Sequence, residues 1–257
     1  LRTTSVLRGS PTDHASFEAA RAGCIWNEIP ILMAPNMVMT STQRGSGIFL
    51  GYRDILQGFN SSNSNYATQS LRSCEAVSGS QTWAFTSLGP YVSDGGMPES
   101  LWHSGNIANA FNLESKIRSV GHIWVTAAST RVRDSETDDP YGSPPFHQHH
   151  AHVSIDSADH DLNTDRSLYF NGPDSGACTR MEGGELCNLE VYPEGYGWRV
   201  NTSLFSWFTI DDMRKHPSRT LSFRFEATVR YAVGGQQRLA LSRWWAYGPF
   251  SPAVKLR

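Results

Sequence analysis

The 257-residue sequence predicts an all-β fold, an antiparallel β-sandwich of jelly-roll type with short helices and long loops. Three observations point there. Leu221-Ser-Phe-Arg-Phe-Glu-Ala-Thr-Val-Arg-Tyr231 alternates apolar or aromatic residues with polar ones, the period-two pattern of a half-buried strand. The chain is punctuated by 31 Ser, 22 Gly and 13 Pro, a mixture typical of loop-rich β proteins. Its 22 basic residues are 19 Arg and only 3 Lys, so the Glu/Lys-rich pattern of long amphipathic helices is missing.

In chain order, Thr12 to Ala22 predicts a short helix that Thr12 or Asp13 would cap. Asn60 to Ser80 is rich in Ser and Asn and predicts an exposed loop. Pro98 to Leu113 is the other helix candidate. Gly121 to Val132 and Ala151 to Ile155 read as strands, separated by the turn-rich stretch Asp134 to Pro145, which suits a hairpin or crossover. Leu204 to Ile210 is apolar on both faces, as in a central strand. Residues 1–85 read as an N-terminal extension or additional strands, packed on a sandwich domain of residues 86–257.

Lys+Arg (22) and Asp+Glu (24) nearly cancel, giving a net charge of -2. No basic stripe supplies the counterion release on which nucleic-acid binding depends, so no nucleic-acid partner is expected. The longest apolar run, Ile29 to Met39, is cut by Pro30 and Pro35, so no membrane span is expected. The sequence opens at Leu1 without a charged-then-apolar leader and reads as a processed product.

Four cysteines, Cys24, Cys74, Cys178 and Cys187, accompany two glycosylation sequons, Asn60-Ser61-Ser62 and Asn201-Thr202-Ser203. Together they point to an oxidising, secretory route, an extracellular location and N-linked glycans on Asn60 and Asn201. Four cysteines allow three pairings, among which sequence does not choose. The sequential one, Cys24 with Cys74 and Cys178 with Cys187, is the expectation.

The conspicuous chemical feature is histidine. Five of the nine histidines lie within fourteen residues: His147, His149, His150, His152 and His160. Imidazole is a good ligand for transition metals, and two histidines at i and i+2 on a strand share a face. Regular alternation pairs His147 with His149, and His150 with His152, on opposite faces. Joint ligation by the adjacent His149 and His150 requires a bend or bulge, for which Pro144 and Pro145 lie just upstream. The bland alternative is a solvated strand end whose rings bond water and carbonyls. Asp211 and Asp212 read as a strand-end turn rather than an acid/base pair. The glycines of Met181 to Cys187 and Gly234-Gly235 read as turns, Trp244 to Phe250 as core or interface closure, and no nucleophile motif stands out.

The order of Leu88-Gly-Pro90, Gly121-His-Ile123, the His149-His150 pair, a Cys-containing loop and Tyr192-Pro-Glu-Gly-Tyr-Gly-Trp-Arg-Val200 resembles the copper type II, ascorbate-dependent monooxygenases. The likeness is to the N-terminal domain of peptidylglycine hydroxylating monooxygenase and to a related plant stress-upregulated nodulin family, over about residues 86 to 233. The resemblance implies a β-sandwich in which His149 and His150 ligate one copper. That family takes a third histidine from the strand after the Pro-x-Gly-x-Gly segment. Here that strand, Ser203 to Asp212, has none, and Phe208 or a neighbour occupies the place. The family's second copper domain uses later histidines and a methionine, yet no His or Met follows His216.

The expected function is accordingly a secreted, glycosylated β-sandwich protein with a copper site at His147, His149, His150 and His152 and a binding or structural role outside the cell. One rival is a divergent mono-copper oxidase or monooxygenase. The other is a subunit that self-associates into an extracellular filament or surface layer.

Overall fold

The computed structural model describes residues 7–32, 68–93, 107–142, 145–155, 167–171, 189–202, 204–212, 214, 219–234 and 238–239. Among these the strands are β1 (Leu7–Arg8), β2 (Asn27–Leu32), β3 (Thr68–Ser78), β4 (Gln81–Ser93), β5 (Ile107–Ala110), β6 (Ile123–Asp134), β7 (Phe146–Ile155), β8 (Ser167–Asn171), β9 (Glu190–Val191), β10 (Tyr196–Val200), β11 (Leu204–Asp212), β12 (Leu221–Val233) and β13 (Arg238–Leu239). The helices are α1 (Pro11–Ala22) and α2 (Glu114–Val120). The fold is all-β and antiparallel, with one short parallel exception where β13 joins β10.

A large sheet runs β1-β9-β6-β12-β4-β3-β2, with β10 also pairing β6, and a small sheet runs β5-β11-β7-β8. The two share one apolar core. Phe146 and Val153 of β7 and Leu204 of β11 join Leu88, Val125, Val132, Phe223, Phe225 and Val229 of the large sheet in it. Phe146 meets Phe223 at 4.6 Å between ring centroids. Position 85 lies inside β4, whose length pairs with β12 on one side and β3 on the other.

β12 departs from the half-buried strand its alternation predicts. Its apolar residues fill the shared core, but Arg224, Glu226 and Thr228 are buried as well. The reason is α1, which covers the polar face. Ser10 caps this helix through a reciprocal capping box with Asp13, and Pro11 opens it, so the cap lies two residues before Thr12. His14, Phe17 and Ala20, spaced three apart, form its buried face. Phe17 packs edge-on to Trp83 at 5.5 Å and beside Phe85 at 5.7 Å, and the Arg131 guanidinium lies 4.3 Å from its ring centroid. The polar positions find ion-pair partners: Arg21 with Glu226 (2.8 Å) and Asp138 (2.7 Å), Glu18 with Arg131 (2.8 Å), and Asp13 with Arg230 (2.7 Å).

Cys24, just beyond α1, forms a disulfide with Cys74 of β3, so that half of the sequential pairing is present. Cys178 and Cys187 lie outside the described residues, as does Asn60. Asn201 is exposed between β10 and β11. Two local expectations are corrected. Within Pro98 to Leu113, residues 107–110 form β5, drawn into the sheet by backbone pairing with Phe205 to Phe208, and the helix begins only at Glu114; residues 98–106 lie outside the described set. Within Asn60 to Ser80, residues 68–78 form β3, an interior strand between β2 and β4 that buries Ser70, Leu71, Ser73 and Cys74. Serine content misleads there because the strand's hydrogen-bond ladder, not its side chains, decides its state. Among the described residues no helix is long and apolar enough to cross a membrane.

The motif segments have structural reasons of their own. Gly89 sits at φ 151°, where a Cβ would lie 2.8 Å from Arg224 Cγ and 2.9 Å from the Phe223 carbonyl oxygen, so only glycine fits. The β4–β12 register shifts at this point. In Tyr192 to Val200, Gly197 brings β10 against β6, with a Cβ there 3.1 Å from the Val125 carbonyl oxygen.

Candidate metal centre

The four adjacent histidines lie on β7, an interior strand with β11 on one side and β8 on the other. Its pairing with β11 is regular from Leu204↔Ile155 to Thr209↔His150, then steps to Ile210↔Gln148 and Asp211↔His147. His149 has no counterpart. It is the extra residue of a β-bulge, the irregularity that Pro144 and Pro145 suggested.

The bulge changes which histidines share a face, because one extra residue reverses the alternation. Residues paired directly across an antiparallel ladder lie on the same face. Phe146 and Val153 are buried in the common core and pair with Asp212 and Ser206, which places Phe146, Gln148, Ala151, Val153 and Ile155 on the core face. The other face then carries His147, His150 and His152, opposite Asp211, Thr209 and Trp207 of β11. On β8, Asn171 and Tyr169 continue the rows of His150 and His152. The expected face pairs, His147 with His149 and His150 with His152, are thus replaced by a register that puts His147, His150 and His152 on one face and leaves His149 without a ladder partner.

Same-face neighbours on a strand are roughly 7 Å apart, and cross-strand partners about 4.5–5.5 Å apart at Cβ. His147 and His150, three apart in the sequence, therefore follow one another on the same face across the register step, and Asp211 is the β11 position paired with His147. By residue type these register positions are imidazoles and one carboxylate, chemistry that favours copper, zinc or iron over calcium or magnesium. The third histidine implied by the resemblance has no equivalent on β11. Phe208 pairs with Ala151 on the core face, and the donor that β11 contributes to the histidine face is Asp211. Sequence reasoning set Asp211 aside as a turn residue, since its position opposite His147 depends on a register that no local pattern encodes.

The remaining histidines are dispersed. His14 is buried under α1, and His122 packs edge-on to Trp124 at 5.6 Å at the start of β6. His103, His160 and His216 lie outside the described residues. Among the described side chains no three of His, Cys, Asp or Glu gather as a metal-binding group; the side chains of His147, His149, His150, His152 and Asp211 lie outside that set.

No family model matches the chain, and neither a curated protein nor a solved structure does.

Proposed function

We propose that the chain is an extracellular, N-glycosylated β-sandwich protein that binds one transition-metal ion, copper by resemblance, on the outer face of its small sheet, in a binding or structural role. The common core of the two sheets supports reading them as the layers of a sandwich. The Cys24–Cys74 disulfide and the exposed Asn201 sequon support a secretory route. The observation that carries the metal reading is the register step at Thr209/Ile210, which aligns His147, His150 and His152 on one face. His147 and His150 would hold the ion, with Asp211 completing or orienting the set and His152 next along the face.

The proposal stops at binding. The strand on which the resembled family carries its third histidine is β11 here, and it holds none.

Equilibrium dialysis against copper tests the reading. The wild-type chain is expected to retain about one ion, and the His147→Ala/His150→Ala variant to retain none. Unchanged metal content in that double variant would exclude the site. Asp211→Asn is expected to weaken copper binding by about 10–100-fold, the usual cost of losing a carboxylate that supports a metal-bound imidazole. A competition titration reads that loss, and wild-type affinity would remove Asp211 from the site.

A further inference from the structure

A second site lies on the opposite side of the molecule, where α1 covers the large sheet. Ser129, Arg131 and Arg133 occupy alternate positions of β6 on that face, with exposures of 0, 5 and 3%. Arg133 donates from Nε to Glu226 Oε1 at 2.8 Å and from Nη1 to the Asp138 carbonyl at 3.0 Å. Arg131 donates from Nη1 to Glu18 Oε1 at 2.8 Å. That leaves Arg131 Nε and Nη2, Arg133 Nη2 and Ser129 Oγ buried with no partner among the described residues. A buried donor without an acceptor costs the whole desolvation of the group, and native interiors hold few of them. Four such atoms on three successive same-face positions of one strand, with His14 Nδ1 of α1 also buried and unpartnered, call for a further acceptor.

The excess of guanidinium donors gives the acceptor its sign. Glu226 is shared between Arg133 and Arg21, and the Glu18 and Asp138 side chains that serve the other guanidinium nitrogens are 47% and 43% exposed, so solvent screens them. Arg224, ion-paired with Glu28 at 3.5 Å, stands directly opposite Arg133 in the β12–β6 register, and Glu226 stands opposite Arg131. Burial and the Arg131 charge also push the His14 imidazole below its ordinary value. The burial of the donors limits the acceptor to a small one. Water would bring protons that need acceptors of their own, whereas a halide brings none.

We propose that Ser129, Arg131 and Arg133 form a binding site for a small monovalent inorganic anion, a halide, enclosed between β6 and α1 and clamping that helix to the sheet. The test uses the whole chain, with thermal unfolding followed in sodium chloride and in sodium gluconate at equal ionic strength. Chloride is expected to raise the melting temperature, in proportion to the logarithm of its concentration once above the dissociation constant, by about 5–10 °C at a hundred times that constant. Arg131→Gln abolishes the chloride dependence, and the milder Ser129→Ala weakens the apparent chloride affinity several-fold. Bromide-soaked crystals are expected to show an anomalous peak within hydrogen-bond reach of Arg131 and Arg133. Equal melting temperatures in the two salts, or ordered waters on these donors and no bromide, overturn the proposal. If Arg131→Gln fails to fold, the wild-type bromide map and the Ser129→Ala titration decide alone.

Discussion

Replacing Glu226 with alanine is expected to destabilise the fold by about 3–5 kcal/mol, because it leaves buried guanidinium charge without its counter-ion. The carboxylate is 1% exposed at the centre of β12 and accepts from Arg21 Nε at 3.0 and 2.9 Å and from Arg133 Nε at 2.8 Å. Truncation removes the anion that joins α1 to β6 while both arginines stay where they are. Urea unfolding should show a lower midpoint at an unchanged slope. A loss below about 1 kcal/mol would mean that the arginines find other acceptors and that the carboxylate does not anchor the helix.

The same residue gives a pH dependence of definite sign. Burial alone would raise the Glu226 carboxyl, but the Arg133 and Arg21 charges and hydrogen bonds override it and hold the group below its ordinary value near 4.5. Its folded value is therefore below its unfolded one. The stability it contributes is complete above the unfolded value and is lost as pH falls through the folded one. The gap between wild type and Glu226→Ala should accordingly narrow in acid below about pH 4.5.

The second large effect is the disulfide. Serine at both Cys24 and Cys74 opens a loop of 50 residues, for which chain entropy estimates a loss of about 4 kcal/mol. The bond fixes the chain just beyond α1 to β3, next to the cluster of Phe17, Ala20, Cys74, Trp83 and Phe85. Hydrogen exchange in residues 11–22 should therefore rise more than exchange in β7. Copper uptake, which the proposed site assigns to the small sheet, should be unchanged, and a joint loss of both would mean that the two sheets unfold as one unit.

What the sequence discloses and what it hides divide along the range of the interactions. The β12 alternation is local, and it correctly marks one face for the core. That the other face is also buried depends on Arg21 and Asp13, which reach Glu226 and Arg230 from the far end of the chain. The capping box at Ser10 is a local signal that a search starting at Thr12 passes over. Pro98 to Leu113 reads as a helix because Ile107 to Ala110 has no strand pattern of its own; its conformation comes from β11. The histidine cluster is plain in the sequence, whereas its arrangement is not. Regular alternation pairs His147 with His149, whereas the one-residue step against β11 puts His150 on the face of His147 and Asp211 opposite it.

That register step is the centre of the account, and X-ray absorption of the copper-loaded chain tests it most directly. The expected spectrum has at least two imidazole nitrogens at about 2.0 Å, unchanged in His149→Ala and lost in His147→Ala/His150→Ala. A spectrum lost in His149→Ala but kept in the double variant would contradict it.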